Sequence, residues 1–141
     1  MAAGNQRRNQ VKKLTILTAV MLTILSAASV AQESSARALF QTDLPDIEGR
    51  EAVVLEVVYP PGVASSSHRH NAHTFVYVLE GTVEMQVAGG ELMKLVAGQT
   101  FYESPSDIHS VSRNASDTEA ARILVFFIKM KDAASTEPAD D

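Results

Sequence analysis

The sequence contains no cysteine. Disulfide frameworks, thiolate metal sites and cysteine nucleophiles are therefore excluded, and any metal must be held by nitrogen or oxygen. Long apolar runs are also missing. The best candidate, Leu14 to Leu25, is interrupted by Thr15, Thr18 and Thr23 and falls short of the ~20 apolar residues that span a membrane as a helix. No stretch keeps a 3.6-residue hydrophobic period between caps, which argues against helices. Charge is missing in a patterned way. Residues 1–31 contain no acid but hold Arg7, Arg8, Lys12 and Lys13. The remainder of the 141-residue chain has 8 basic residues against 17 acidic ones, a net charge of −9. A body this acidic should not bind a phosphate backbone, so nucleic acid is excluded as a partner on bulk electrostatics. The length suits one domain.

The basic start is followed by the apolar run and then by small residues, Ser26-Ala27-Ala28-Ser29-Val30-Ala31. This order is that of a secretory signal peptide over residues 1–31, with Ser29 and Ala31 at −3 and −1 of a cut before Gln32. An uncleaved anchor is the alternative, and the short, threonine-rich core speaks against it. Arg7-Arg8-Asn9-Gln10-Val11-Lys12 has a weak likeness to a twin-arginine signal, but Gln10 stands where a large apolar residue is usual. The expected product is periplasmic or secreted, with no stable membrane association after cleavage.

The remainder reads as short β runs. Residues 32–50 are expected to be an N-terminal linker and edge segment, with Leu39 to Pro45 packing as an edge strand or a lid. From residue 51 to 131 the runs Ala52–Tyr59, Thr74–Leu79, Thr82–Val87, Leu92–Val96, Thr100–Tyr102, Ile108–Ser112 and Arg122–Ile128 are rich in β-branched and aromatic residues. They are separated by turns at Pro60-Pro61-Gly62, Gly81, Gly89-Gly90, Gly98 and Asn114-Ala115-Ser116-Asp117. Such a series argues for a sandwich or a closed barrel. Residues 132–141, small and acidic, read as a disordered tail.

All four histidines, His68, His70, His73 and His109, fall in this β region. His68 and His70 are two apart, so on a strand their rings share one face, and two imidazoles on one face can grip one ion. A polar loop is the plainer reading of that pair, since Ser65-Ser66-Ser67 precede it. Glu80, Glu84 and Glu103 could form a carboxylate pair but read more simply as solvated strand or loop residues, and Ser65 to Ser67 lack the strand-turn-helix setting of a hydrolase nucleophile. Phe75, Tyr77, Phe101, Tyr102, Phe126 and Phe127 read as core or barrel lining, with Tyr77 or Tyr102 able to present a hydroxyl to a ligand.

The spacing Gly62, five residues, His68-Arg69-His70, three residues, Thr74, six residues, Gly81 resembles the first motif of the cupin family. Gly98 with Thr100 to His109 and Asn114 resembles the second. The likeness covers roughly residues 50–130. It departs from the family pattern at Thr74, where a glutamate ligand is usual, and at Ser104 and Ser106, where proline and glycine are usual. Asn114 is one residue late.

The resemblance implies an all-β fold, a small single-domain jelly-roll barrel, with one divalent transition-metal ion held by His68, His70 and His109. His73 stands beside the missing glutamate and is a candidate fourth ligand, although strict alternation turns Thr74, not His73, inward with His70. A turn at Asn71-Ala72 would be needed to re-aim it. Histidine ligation suits zinc, copper, iron or nickel, and manganese also occurs in this family; the residues do not choose among them. Positions left open on the ion would admit a small organic ligand. The first reading is therefore a metal-dependent dioxygenase acting on a small chelating substrate. The alternatives are a non-catalytic ligand- or metal-binding barrel and a structural metal site, because fold alone does not settle function. The family likeness also suggests a homodimer.

Overall fold

The structure is a computed structural model that describes residues 32–139. The segment read as a signal peptide lies outside the described residues. Within them the chain is all β, without a helix. The strands are β1 (Ser35–Asp43), β2 (Arg50–Tyr59), β3 (Ala64–Ser65), β4 (His68–Arg69), β5 (His73–Glu80), β6 (Thr82–Val87), β7 (Met93–Val96), β8 (Thr100–Glu103), β9 (His109–Asn114), β10 (Ala121–Met130) and β11 (Glu137–Pro138). They form two antiparallel sheets, β1-β2-β10-β5-β8 and β11-β4-β9-β6-β7, with β3 added on β9. This is a jelly roll.

Alternation along each strand decides what enters the barrel. On β5, Thr74, Val76 and Val78 are buried while His73, Phe75 and Tyr77 are exposed. On β10, Ala121, Ile123, Val125, Phe127 and Lys129 point inward. Phe101 of β8 joins them from the same sheet, and Val83 and Met85 of β6 complete the core from the facing one. The sequence motifs supply its corners. Gly81 has φ 74°, and a Cβ there would stand 2.6 Å from the Ala120 carbonyl oxygen, so only glycine fits this crossing. Asn114 is buried and holds three carbonyls through its amide, those of Tyr59 (3.1 Å), Pro60 (3.1 Å) and Glu119 (2.7 Å).

The two ends differ from a simple linker and tail. Residues 35–43 pair along β2 as the edge strand of the five-stranded sheet. Residues 132–139, expected to be disordered, instead turn back onto the barrel. Lys129 is buried and forms an ion pair with Glu51. Its ammonium also donates to the Ala133 carbonyl at 2.5 Å, which starts the return. β11 then pairs with β4, Glu137 opposite Arg69 and Pro138 opposite His68. Composition suggested disorder because these residues have little to bury; main-chain pairing with an open strand edge supplies the order.

Candidate metal centre

His68 and His109 are cross-strand partners on β4 and β9, so their rings leave the sheet on the same face. His70 follows one residue beyond β4. Ring centroids lie 4.8 Å apart for His68 and His70, 5.0 Å for His68 and His109, and 6.3 Å for His70 and His109. One ligand nitrogen from each residue lies within 4.8 Å of the other two.

His109 owes its direction to a bulge. Val87 pairs with His109 and Gln86 with Val111, which leaves Ser110 as an extra residue on β9. Ser110 Oγ donates to the Gln86 carbonyl at 3.1 Å. Regular alternation from the inward residues Ser112 and Asn114 would have turned Ser110 in and His109 out; the added residue reverses this.

Two hydrogen bonds set which nitrogen faces the cluster. His68 Nδ1 lies 2.7 Å from the Ser66 carbonyl and His70 Nδ1 2.6 Å from the Ser135 carbonyl. A carbonyl only accepts, so both Nδ1 atoms carry the proton and both Nε2 atoms present a lone pair. Burial pushes the pKa of both rings down, with nearby charges and these hydrogen bonds as smaller influences. Both are held in the neutral form that binds a metal.

Glu103, on β8, is the second buried feature here. Its carboxylate is 2% exposed. Oε1 lies 3.1 Å from His109 Nδ1 and 3.9 Å from His70 Nε2. The 3.1 Å approach is close enough for an ion pair but is not aligned as a hydrogen bond. Among the described residues neither carboxylate oxygen, nor either His109 nitrogen, has a hydrogen-bond partner. Buried polar atoms without partners are costly. A cation on the imidazole nitrogens would supply what these atoms lack, so the donor set fits a divalent ion.

The cluster opens on a cavity of about 380 Å³, at the small end of the ~300–1,000 Å³ range of ligand pockets. Its walls are apolar, from Leu55, Val57, Met85, Ile123, Val125 and Phe127. Among the polar residues that also line it, three hydroxyls meet: Tyr59 Oη is 2.8 Å from Ser112 Oγ and 3.1 Å from Ser65 Oγ.

Residues 55–127 match the family model described as the Cupin domain, half of the chain. This protein is a cupin. Solved structures agree in fold. A protein with a double-stranded β-helix domain from Klebsiella pneumoniae subsp. pneumoniae MGH 78578 has a TM-score of 0.60 at 22% identity, covering 77% of this chain and 86% of that one. A Cupin 2 conserved barrel domain protein from Salinispora arenicola CNS-205 has a TM-score of 0.51 at 23% identity, covering 67% and 74%. The DMSP lyase DddQ from Ruegeria pomeroyi DSS-3 has a TM-score of 0.55 at 18% identity over 62% of this chain, and only 43% of that longer chain is covered. No curated protein sequence matches.

Within this cupin, three of the four candidate histidines converge and His73 does not. The turn needed to re-aim it does exist, with Asn71 at φ 48°. Alternation nevertheless holds through it: Ala72 and Thr74 are buried, and His73 faces out, its Nδ1 2.8 Å from Tyr102 Oη. Tyr77 and Tyr102 also lie on the outer face, with Phe75 and Phe126, so of the six aromatics only Phe101 and Phe127 are buried. The tyrosine that lines the cavity is Tyr59, which no motif marks. Glu80 and Glu84 pair with Arg122 and Arg113 on the surface as expected; Glu103 does not, and its register opposite Thr74 was the signal that pairing alone could have exposed.

Proposed function

We propose that this cupin is an exported metalloprotein that holds one divalent transition-metal ion on His68, His70 and His109 and acts as an oxygenase on a small chelating organic substrate. The observation that carries the reading is the convergence of three imidazoles at the wall of an apolar cavity. When bound, the ion would polarise a chelating oxygen or sulfur and, if redox-active, bring it together with dioxygen. The chain's own residues do the rest. The apolar walls exclude water and select a compact organic body. The hydroxyls of Tyr59, Ser65 and Ser112 offer a hydrogen-bonding station for a polar substituent pointing away from the metal. The lyase among the similar structures indicates that the fold also carries other chemistry, and at 18% identity it lends no substrate to this chain.

Expressed with residues 1–31, the protein is expected in the periplasm as a chain beginning at Gln32 with about one ion per chain. Oxygen uptake should then rise with one member of a panel of enolisable diketones, phenols and thiols. A metal-loaded protein that binds members of the panel without consuming oxygen would instead be the non-catalytic barrel.

A homodimer is part of the same proposal. Phe126, Phe75 and Tyr102 are register partners across β10, β5 and β8, and they form an exposed aromatic row on the outer face of the five-stranded sheet. A second copy of the chain, related by a two-fold axis, would bring the same row onto itself. Light scattering should give twice the chain mass, and Phe75→Glu should halve it; a monomer at all concentrations rejects the pairing.

A further inference from the structure

Thr74 on β5 and Glu103 on β8 are direct cross-strand partners, and both are buried. Paired residues of antiparallel strands put their side chains on one face with Cβ atoms only ~5 Å apart. Whatever carboxylate Thr74 does not provide, Glu103 can therefore present to the same space from the neighbouring strand. The Glu103 carboxylate is 2% exposed, within 3.1 Å of His109 and 3.9 Å of His70, yet it has no cationic residue against it and no hydrogen bond. Arg113 and Arg122 are engaged at the surface with Glu84, Glu56 and Glu80, and Lys129 is engaged with Glu51. The fold thus carries a buried carboxylate without a hydrogen-bond partner beside three imidazoles, an arrangement that is unfavourable until a cation arrives.

We propose that Glu103 is the anion of the metal centre: a positioning residue that stands behind His109, orients that ring, and offsets one unit of the ion's double charge. It lies outside the three-nitrogen cluster, so it acts beside the ligands rather than as a further member of the trio. The proposal rests on the metal reading above and deepens it. It also narrows the substrate class. An ion offset by one carboxylate keeps a single net positive charge, which a monoanionic chelator neutralises in a low-dielectric cavity.

The test is titration of metal-stripped protein with Zn²⁺ and with Co²⁺, the latter followed by its visible absorption. Glu103→Gln, nearly the same size, should weaken both metals about 10–100-fold, the range for loss of an outer-shell partner, and should shift the Co²⁺ spectrum. Its metal-free form should melt no lower than the metal-free wild type, because the substitution removes a buried carboxylate that has no hydrogen-bond partner. A residue that merely supported the fold would lower that melting point instead, and this result would overturn the proposal. Glu103→Asp, which keeps the charge, should retain more affinity than Glu103→Gln. Thr74→Glu placed in the Glu103→Gln background should recover most of the loss, since it returns a carboxylate from the paired position. Affinity for both metals within about threefold of wild type in Glu103→Gln overturns the proposal while leaving the metal reading intact. Failure of the wild type itself to take up either ion overturns both.

Discussion

His68→Ala, His70→Ala and His109→Ala are each expected to reduce bound metal from about one ion per chain to near zero after dialysis, while His73→Ala keeps the wild-type content. Removing one of three nitrogens leaves two ligands and a hole in the coordination shell. The loss should exceed the ~10–100-fold that follows perturbation of an outer partner. His73 sits on the outer face and contacts Tyr102, so its removal touches nothing that faces the cavity. Metal analysis of the four variants, with circular dichroism to show that each remains folded, checks the expectation. Wild-type content in any of the first three, or a clear loss in His73→Ala, would contradict the assignment of the trio.

The next largest effect is expected from the C-terminal segment. A chain ending at Ala134 keeps the Ala133 carbonyl that accepts from Lys129 but loses the Ser135 carbonyl on His70 Nδ1. It also loses the pairing of β11 with β4, the Ala139 amide on the Ser67 carbonyl and the Glu137 carboxylate on Asn71. His70 would then be free to rotate and to change tautomer, and metal affinity should fall about 10–100-fold. Thr136 and Pro138 line the cavity, so its mouth should widen as well. Ser135→Ala is the matched control, because the contact is made by the main chain; it should bind metal as the wild type does. Isothermal titration of the three proteins decides the matter, and equal affinity in the truncated chain would remove the segment from the site.

The legible part of this protein was the part written in local patterns. The β runs, the turn glycines, the paired His68 and His70, and the match of both motifs to one family are properties of residues within a few positions of one another. Strict alternation even indicated the correct inward residue at Thr74. Three features were hidden for definite reasons. Ser110 turns His109 inward through a bulge that exists only because β9 pairs with β6. Glu103 looked like one more solvated acid, because nothing along the chain shows that it lies opposite Thr74. The aromatics read as core or lining because apolar residues are expected to point inward, yet Phe75, Tyr77, Tyr102 and Phe126 alternate outward with buried neighbours.

The sequence by itself determined the run of short β segments with their turns, the exclusion of thiolate chemistry and the acidic balance of the body, while the barrel and the trio His68, His70 and His109 came from the likeness of its two motifs to one family. The β segments, the turns and the charge balance follow from residue type, period and spacing, which act over short distances along the chain. Only the tertiary structure decided that His73 stands apart, that Glu103 and the Tyr59 hydroxyl enter the interior, and that the acidic tail closes back on His70. Each of those depends on which strand lies beside which and in what register, and register is set by the pairing of segments that are tens of residues apart.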